Sequence, residues 1–244
     1  MFDHDHHQKI HLVLNSLNPS IFEDCGLYFG GGTLITLIYN EYRWSKDIDF
    51  VAPVGESYKK IRKIIFDGGS KAETLFKNHA KLEFPRDVKA DQYGVRFLVV
   101  ADGTPIKFEI FTEARIHLEP PQFISCLPIP CLSVIDQYAE KLLANADRWN
   151  DSSIESRDLI DLAMLRVNLG IPQASIEKAE DAYPVLDPLK KALSKFQDTE
   201  KYRGKCFSAL EVENIPLVID GIDLLAKDLG MGRTLRNSSE LHED

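Results

Sequence analysis

The sequence predicts an α+β fold: a mixed sheet with flanking helices over residues 1–118, a Pro-rich connector over 119–131, and a helical domain over 132–244. Three observations predict it. Short apolar, alternating runs fall in the first half, at Leu27–Phe29, Asp47–Val51, Val95–Ala101 and Ile106–Phe111. Pro120, Pro121, Pro128 and Pro130 then cluster where missing donors and a fixed φ disfavour ladders and helix interiors. Beyond them apolar residues recur at helical spacing almost to the end.

Taken in order, Ile10, Val13, Leu14 and Leu17 share one helical face, and Asn18-Pro19 ends that helix. His4, His6 and His7 precede it; without another ligand nearby they read as a frayed polar terminus rather than a metal site. The run Leu27-Tyr28-Phe29 is a strand, Gly30-Gly31-Gly32 a turn, and Thr33 the start of a helix through Tyr39. Asp47 to Val51 is the next strand. Ser57 caps a helix through Phe66, with Tyr58, Ile61, Ile64 and Ile65 inward, stopped by Gly68-Gly69. Lys71–Glu83 fits no single pattern. Val95–Ala101 and Ile106–Phe111 form a hairpin across Asp102-Gly103. In its second strand Ile106, Phe108 and Ile110 face one way, and Lys107, Glu109 and Phe111 the other. After the connector, Ser133 with Asp136 marks a capping box for a helix to Asp147. Helices follow at Ile154–Leu169, Ala174–Tyr183, Asp187–Phe196 and Leu217–Leu229, and a frayed tail from Asn237.

Composition bounds the function only broadly. The 244 residues carry a net charge of −9, which opposes non-specific binding to nucleic acid without excluding a local basic surface. The basic runs Lys59, Lys60, Arg62, Lys63 and Lys190, Lys191, Lys195, Lys201, Arg203, Lys205 each read as solvated helix faces. Four scattered cysteines make no disulfide framework. The first eight residues lack a signal peptide's apolar core, and no run is apolar enough to span a bilayer, so a cytoplasmic location is expected and no membrane partner.

The chemistry concentrates between Leu27 and Val51. Glycines let a backbone approach a ligand closely, and a helix start aims free N–H groups and a positive dipole end at phosphate. Asp47 and Asp49, two apart on a strand, share a face. Together these make a site for Mg²⁺ on a nucleoside triphosphate. Glu109, in a mostly apolar strand, is a solvated edge residue, or pairs with Lys107's neighbours, or is a third carboxylate for the same metal. In the helical half Arg157 and Asp161 lie four apart and can pair, and Asp158 nearly shares their face.

The order Gly31-Gly32-Thr33, apolar helix, Arg43-x-Ser45-x-Asp47-Ile48-Asp49-Phe50 resembles the AbiEii/AbiGii toxin family of nucleotidyltransferases, within the DNA polymerase β-like superfamily. Lys141, Arg148 and Arg157-Asp158-x-x-Asp161-Leu162 resemble that family's second block. The resemblance covers about residues 25–165. It implies a nucleotidyltransferase-like sheet, with Asp47, Asp49 and Glu109 as metal ligands and catalytic residues. It also implies Gly31, Gly32, Thr33, Ser45 and Lys141 for the nucleotide, and Asp158 or Asp161 for base-like or supporting chemistry. The implied activity is Mg²⁺-dependent transfer, with Mn²⁺ as the alternative, of a nucleoside monophosphate from an NTP to an RNA such as tRNA. The implied context is a toxin with an antitoxin encoded beside it. Two other readings are weighed. One is a catalytically inactive nucleotide-binding regulatory module of the same fold. The other is an Asp-x-Asp phosphatase, against which Phe50 and Gly31-Gly32 argue.

Overall fold

Strands β1 (Tyr28–Gly30), β2 (Ile48–Pro53), β3 (Leu82–Glu83), β4 (Lys89–Ala90), β5 (Gly94–Ala101) and β6 (Thr104–Glu113) form one sheet in the computed structural model, which describes residues 2–241. Their order is β1-β2-β6-β5-β3, with β4 also paired to β5. β2 and β6 run parallel, and the other pairs are antiparallel, so the sheet is mixed as expected. The β5–β6 hairpin turns at Asp102 (φ 47°) and Gly103 (φ 71°), the doubly left-handed geometry that matches strand twist. The short β3 ends the stretch that fitted no pattern, and β4 lies beyond it, where no strand was expected.

By contact density, the described residues up to Leu37 pack with Lys46–Ser133 as one compact unit, and Ile38–Ser45 pack with the chain from Val134 as another. In the first unit, one sheet face is apolar. Phe29, Phe50, Phe108 and Phe97 are buried in a row across β1, β2, β6 and β5, with ring centroids 4.5–5.5 Å apart. Each such ring contributes about 1.5–3 kcal/mol by leaving water. Three helices pack around this core: α1 (Asp5–Ser16) on β5 and β6, α2 (Pro19–Cys25) through Phe22, and α4 (Glu56–Asp67) on β2. The opposite face carries Asp49 and Glu109. Between β1 and β2 lies α3 (Gly31–Ile38).

Several expectations are corrected here. α1 begins at Asp5 and includes His6 and His7, both buried, so the histidines are not a frayed end. His6 Nε2 lies 3.1 Å from the Lys46 carbonyl. Asn18-Pro19 ends α1 but also opens α2, because Pro fits the first helical position, where its missing N–H would bond nothing. α3 starts at Gly31 rather than Thr33. α4 starts at Glu56, so Ser57 lies inside it and Gly55 is the N-cap. The Pro-rich stretch is also more than a connector. Phe29 N–H donates to Pro130 O at 2.8 Å and Leu132 N–H to Phe29 O at 2.9 Å, while Gln122 and Cys131 exchange two backbone bonds. Prolines lack donors but keep carbonyls, so they can flank an edge strand.

The second unit is helical: α5 (Val134–Arg148), α6 (Arg157–Asn168), α7 (Gln173–Ala182), α8 (Leu186–Asp198), α9 (Glu200–Ala209) and α10 (Ile215–Asp228). α6 begins at Arg157, after a 3-10 turn at Ser152–Ile154. α9 was not expected, since its charged sequence shows no apolar stripe. Arg203 on it is 1% exposed and is no solvated face. Its guanidinium donates to Glu240 at 2.6 and 2.9 Å and to the carbonyls of Phe196, Gln197 and Leu235. The tail is therefore tied down through Glu240, which is itself 2% exposed; residues 242–244 of the expected frayed end lie outside the described residues.

Candidate active site

The polar face of the sheet brings the first-half candidates together. Asp47 immediately precedes β2, and Asp49 is its second residue. Backbone register sets Asp49 opposite Gly30 on one side and Glu109 on the other, and Glu109 opposite Arg96. Register partners share a face, so Asp49 and Glu109 stand side by side on adjacent strands. Asp47 and Asp49 are half-buried, and Glu109 is 6% exposed. Thr33 Oγ1 donates to the Asp47 carbonyl at 2.6 Å, fastening the first turn of α3 to the start of β2. Gly31 sits at φ 69°, where a Cβ would come within 2.7 Å of Asp49 Oδ2. Only glycine both adopts that backbone freely and leaves the carboxylate its place against the helix start.

The carboxylate of Glu109 is partnered by Lys107, two residues earlier on the same face, and by Arg96 Nε at 3.4 Å. Arg96 also donates to Asp91 at 2.8 Å. Sequence reasoning weighed a pairing near Lys107 without naming Lys107 or Arg96 as the partners. Lys107 follows from alternation alone, and Arg96 follows from counting outward through a two-residue turn at Asp102-Gly103.

In the helical unit a second cluster forms around Asp161, which is fully buried. Arg43 holds it through Nε at 2.6 Å to Oδ1 and Nη2 at 2.9 Å to Oδ2, and the Tyr42 hydroxyl donates to Oδ1 at 2.5 Å. Lys141 Nζ lies 2.6 Å from Asp161 Oδ2 and 3.0 Å from Asp158 Oδ1. Arg148 grips Asp158 at 2.6 and 2.9 Å, joining α5 to α6. Asp161 is thus held by Arg43 and Lys141 and not by Arg157, its neighbour one turn back. Burial pushes both carboxyls up, but the cations outweigh it and hold Asp161 and Asp158 well below the ordinary carboxylate range. Burial likewise lowers Arg43, yet Asp161 and Tyr42 reverse this and keep it charged. Nothing in the sequence announces the Arg43–Asp161 pair, whose members are 118 positions apart. Ser45 is buried two residues after Arg43.

The donor set on the sheet suits a hard divalent cation, since Asp47, Asp49 and Glu109 offer only oxygen. The space kept clear at Gly31 fits the same reading. A cation would have to compete with Lys107 and Arg96 for Glu109.

The mixed sheet thus sets a carboxylate pair on adjacent strands beside a glycine-led helix start, and the class of the protein, a nucleotidyltransferase, comes from its family. The chain belongs to the AbiEii family of nucleotidyl transferase toxins, a type IV toxin–antitoxin system, whose family model matches residues 13–209. Among solved structures it is similar to a candidate nucleotidyltransferase from Helicobacter pylori, at 16% identity over 92% of this chain and 95% of that one, with a TM-score of 0.49. It is also similar to an antigenic nucleotidyltransferase-like protein from Paracoccidioides brasiliensis, at 14% identity over 86% of this chain and 95% of that one, with a TM-score of 0.46. No curated protein sequence matches it. Among the described residues no helix is long and apolar enough to cross a membrane.

Proposed function

We propose that this nucleotidyltransferase moves a nucleoside monophosphate from a nucleoside triphosphate to an RNA acceptor, such as a tRNA, with Mg²⁺ or Mn²⁺, and that a neighbouring gene encodes its antitoxin. The observation that carries the chemistry is the Asp49–Glu109 register pair beside Gly31. Asp47, Asp49 and Glu109 would hold the metal, which when bound would neutralise charge on the phosphates and on the carboxylates themselves. Backbone N–H groups of Gly31, Gly32 and Thr33 at the start of α3 meet phosphate oxygens, favoured by the helix dipole. Ser45 supplies a hydroxyl two residues before Asp47. Lys141 is assigned to the triphosphate. An ammonium has three donors, and Asp158 and Asp161 take two, leaving one for phosphate. Asp161 acts by positioning, because a buried carboxylate already bonded to a guanidinium, an ammonium and a phenol is a poor proton acceptor. The acceptor oxygen bonds to the α-phosphorus as the bond to the leaving pyrophosphate breaks. The hydroxyl proton passes to solvent, because Glu109, already bonded to Lys107 and Arg96, is as poor a proton acceptor as Asp161.

The test is direct. Purified protein, Mg²⁺, an RNA pool and each α-labelled nucleoside triphosphate in turn should yield labelled RNA and pyrophosphate. Asp49→Asn should abolish the label, and Lys141→Ala should weaken triphosphate binding about ten- to a hundredfold while affecting diphosphate less. Intact bound nucleotide, or free inorganic phosphate, would overturn the proposal.

A further inference from the structure

Next to the carboxylates the polar face of the sheet carries an aromatic and basic strip that the proposed chemistry does not use. Phe111 lies two residues beyond Glu109 on β6 and points to the same face. It is 38% exposed, although its neighbour across β2, Val51, is buried. Opposite it on β5 stands Gly94, which offers no side chain to cover the ring. Tyr93, one residue before Gly94, is 66% exposed, and its carbonyl accepts from Thr112 N–H at 3.4 Å. Around Glu109 stand Lys107 on the same strand, Arg96 opposite, and Lys89 opposite Arg96 on β4. The Lys107 and Arg96 side chains are 53% and 34% exposed. In a chain of net charge −9, Lys107, Arg96 and Lys89 gather beside the open ring of Phe111, with Lys107 and Arg96 also bonded to Glu109 and Arg96 to Asp91.

We infer that the single-stranded end of an RNA acceptor lies on this strip, with a base stacked on Phe111 and its backbone phosphates against Lys107, Arg96 and Lys89. The inference rests on the function proposed above and adds where the acceptor sits. Cations that track phosphates and aromatic rings that stack bases are how proteins hold single strands. Direction argues for the acceptor rather than the base of the triphosphate. In the order of the sheet, Gly30 and the start of α3 flank Asp49 on its β1 side, and Phe111 and Arg96 lie on the β6–β5 side. Attacking and leaving oxygens stand roughly in line on opposite sides of the transferred phosphorus. If the phosphates leave over α3, the acceptor arrives over β6 and β5.

The experiment measures binding without turnover. Fluorescence polarisation follows a short labelled single-stranded RNA, and calorimetry follows each nucleoside triphosphate, for wild type, Phe111→Ala, Phe111→Trp and the exposed but distant Phe66→Ala. Phe111→Ala should weaken RNA binding about five- to a hundredfold, the range of one base–aromatic stack. Phe111→Trp should restore it, Phe66→Ala should match wild type, and triphosphate affinity should stay unchanged throughout. Wild-type RNA affinity in Phe111→Ala would overturn the inference and leave the proposed chemistry standing. A loss confined to the triphosphate would also overturn it and assign the ring to the nucleotide base. A wild-type protein that binds no RNA while consuming triphosphate would overturn the RNA acceptor and this inference together.

Discussion

At the scale of single residues, Asp161 shows how a carboxylate's neighbours decide its use. Its oxygens receive Arg43, Tyr42 and Lys141 in a site closed to water. Removing the charge leaves a buried guanidinium and ammonium short of a partner, so Asp161→Asn should cost about 3–5 kcal/mol in urea unfolding at neutral pH. The pH dependence has a definite sign. The folded-state carboxyls of Asp161 and Asp158 sit below their unfolded value of about 3.8, so their contribution is complete above that value and is lost as the pH falls further. Wild-type stability should therefore fall steeply below about pH 4, and Asp161→Asn should show a shallower acid limb. An unchanged acid limb in the variant would remove this pair from the account.

At the scale of elements, the helical unit depends on how closely α6 and α10 approach. A Cβ on Gly221 would lie 2.3 Å from the Ala163 carbonyl, a backbone atom that cannot swing away. Gly221→Ala should force the helices apart and cost about 1–3 kcal/mol. α6 also carries Asp158 and Asp161, so the same variant should disturb Lys141. Gly204 on α9 has nothing within 4 Å of its added Cβ. Gly204→Ala should stabilise by about 0.4–1 kcal/mol, because alanine restricts the unfolded chain. Denaturant midpoints for the two variants should move in opposite directions. A Gly221→Ala protein as stable as wild type would show that the α6–α10 contact can relax.

At the scale of the whole molecule, the family context and the carboxylates make a joint prediction. Expression of the chain alone in a bacterial host should slow growth, and Asp49→Ala should restore it. The substitution removes a half-buried side chain from the polar sheet face and leaves the phenylalanine core untouched. Growth curves with immunoblots at matched protein levels provide the measurement. Inhibition that persists in Asp49→Ala would separate toxicity from nucleotidyl transfer.

The sequence by itself determined the features that rest on local rules. Alternation assigned Ile48 and Phe50 to the core and Asp49 to the open face, and Asp102-Gly103 closed the β5–β6 hairpin with its register. Helical spacing outlined α5, α6, α8 and α10, and the Gly-Gly-Thr and Asp-x-Asp pattern identified the family. Helix starts were less legible, because a cap is read from one side chain while the backbone chose Gly31 and Glu56. α9 was not legible because only Cys206 and Phe207 of its buried residues are apolar, and its third buried residue, Arg203, is a cation paired with Glu240 37 residues away. Tertiary structure alone decided the partners that no local rule reaches. It set β6 parallel beside β2, which brings Glu109 to Asp49, and it drew Arg43 to Asp161. Arg43 meets Asp161 because a desolvated charge is stable only beside its complement, whereas Glu109 stands beside the like-charged Asp49 because strand pairing puts it there and Lys107 and Arg96 offset its charge.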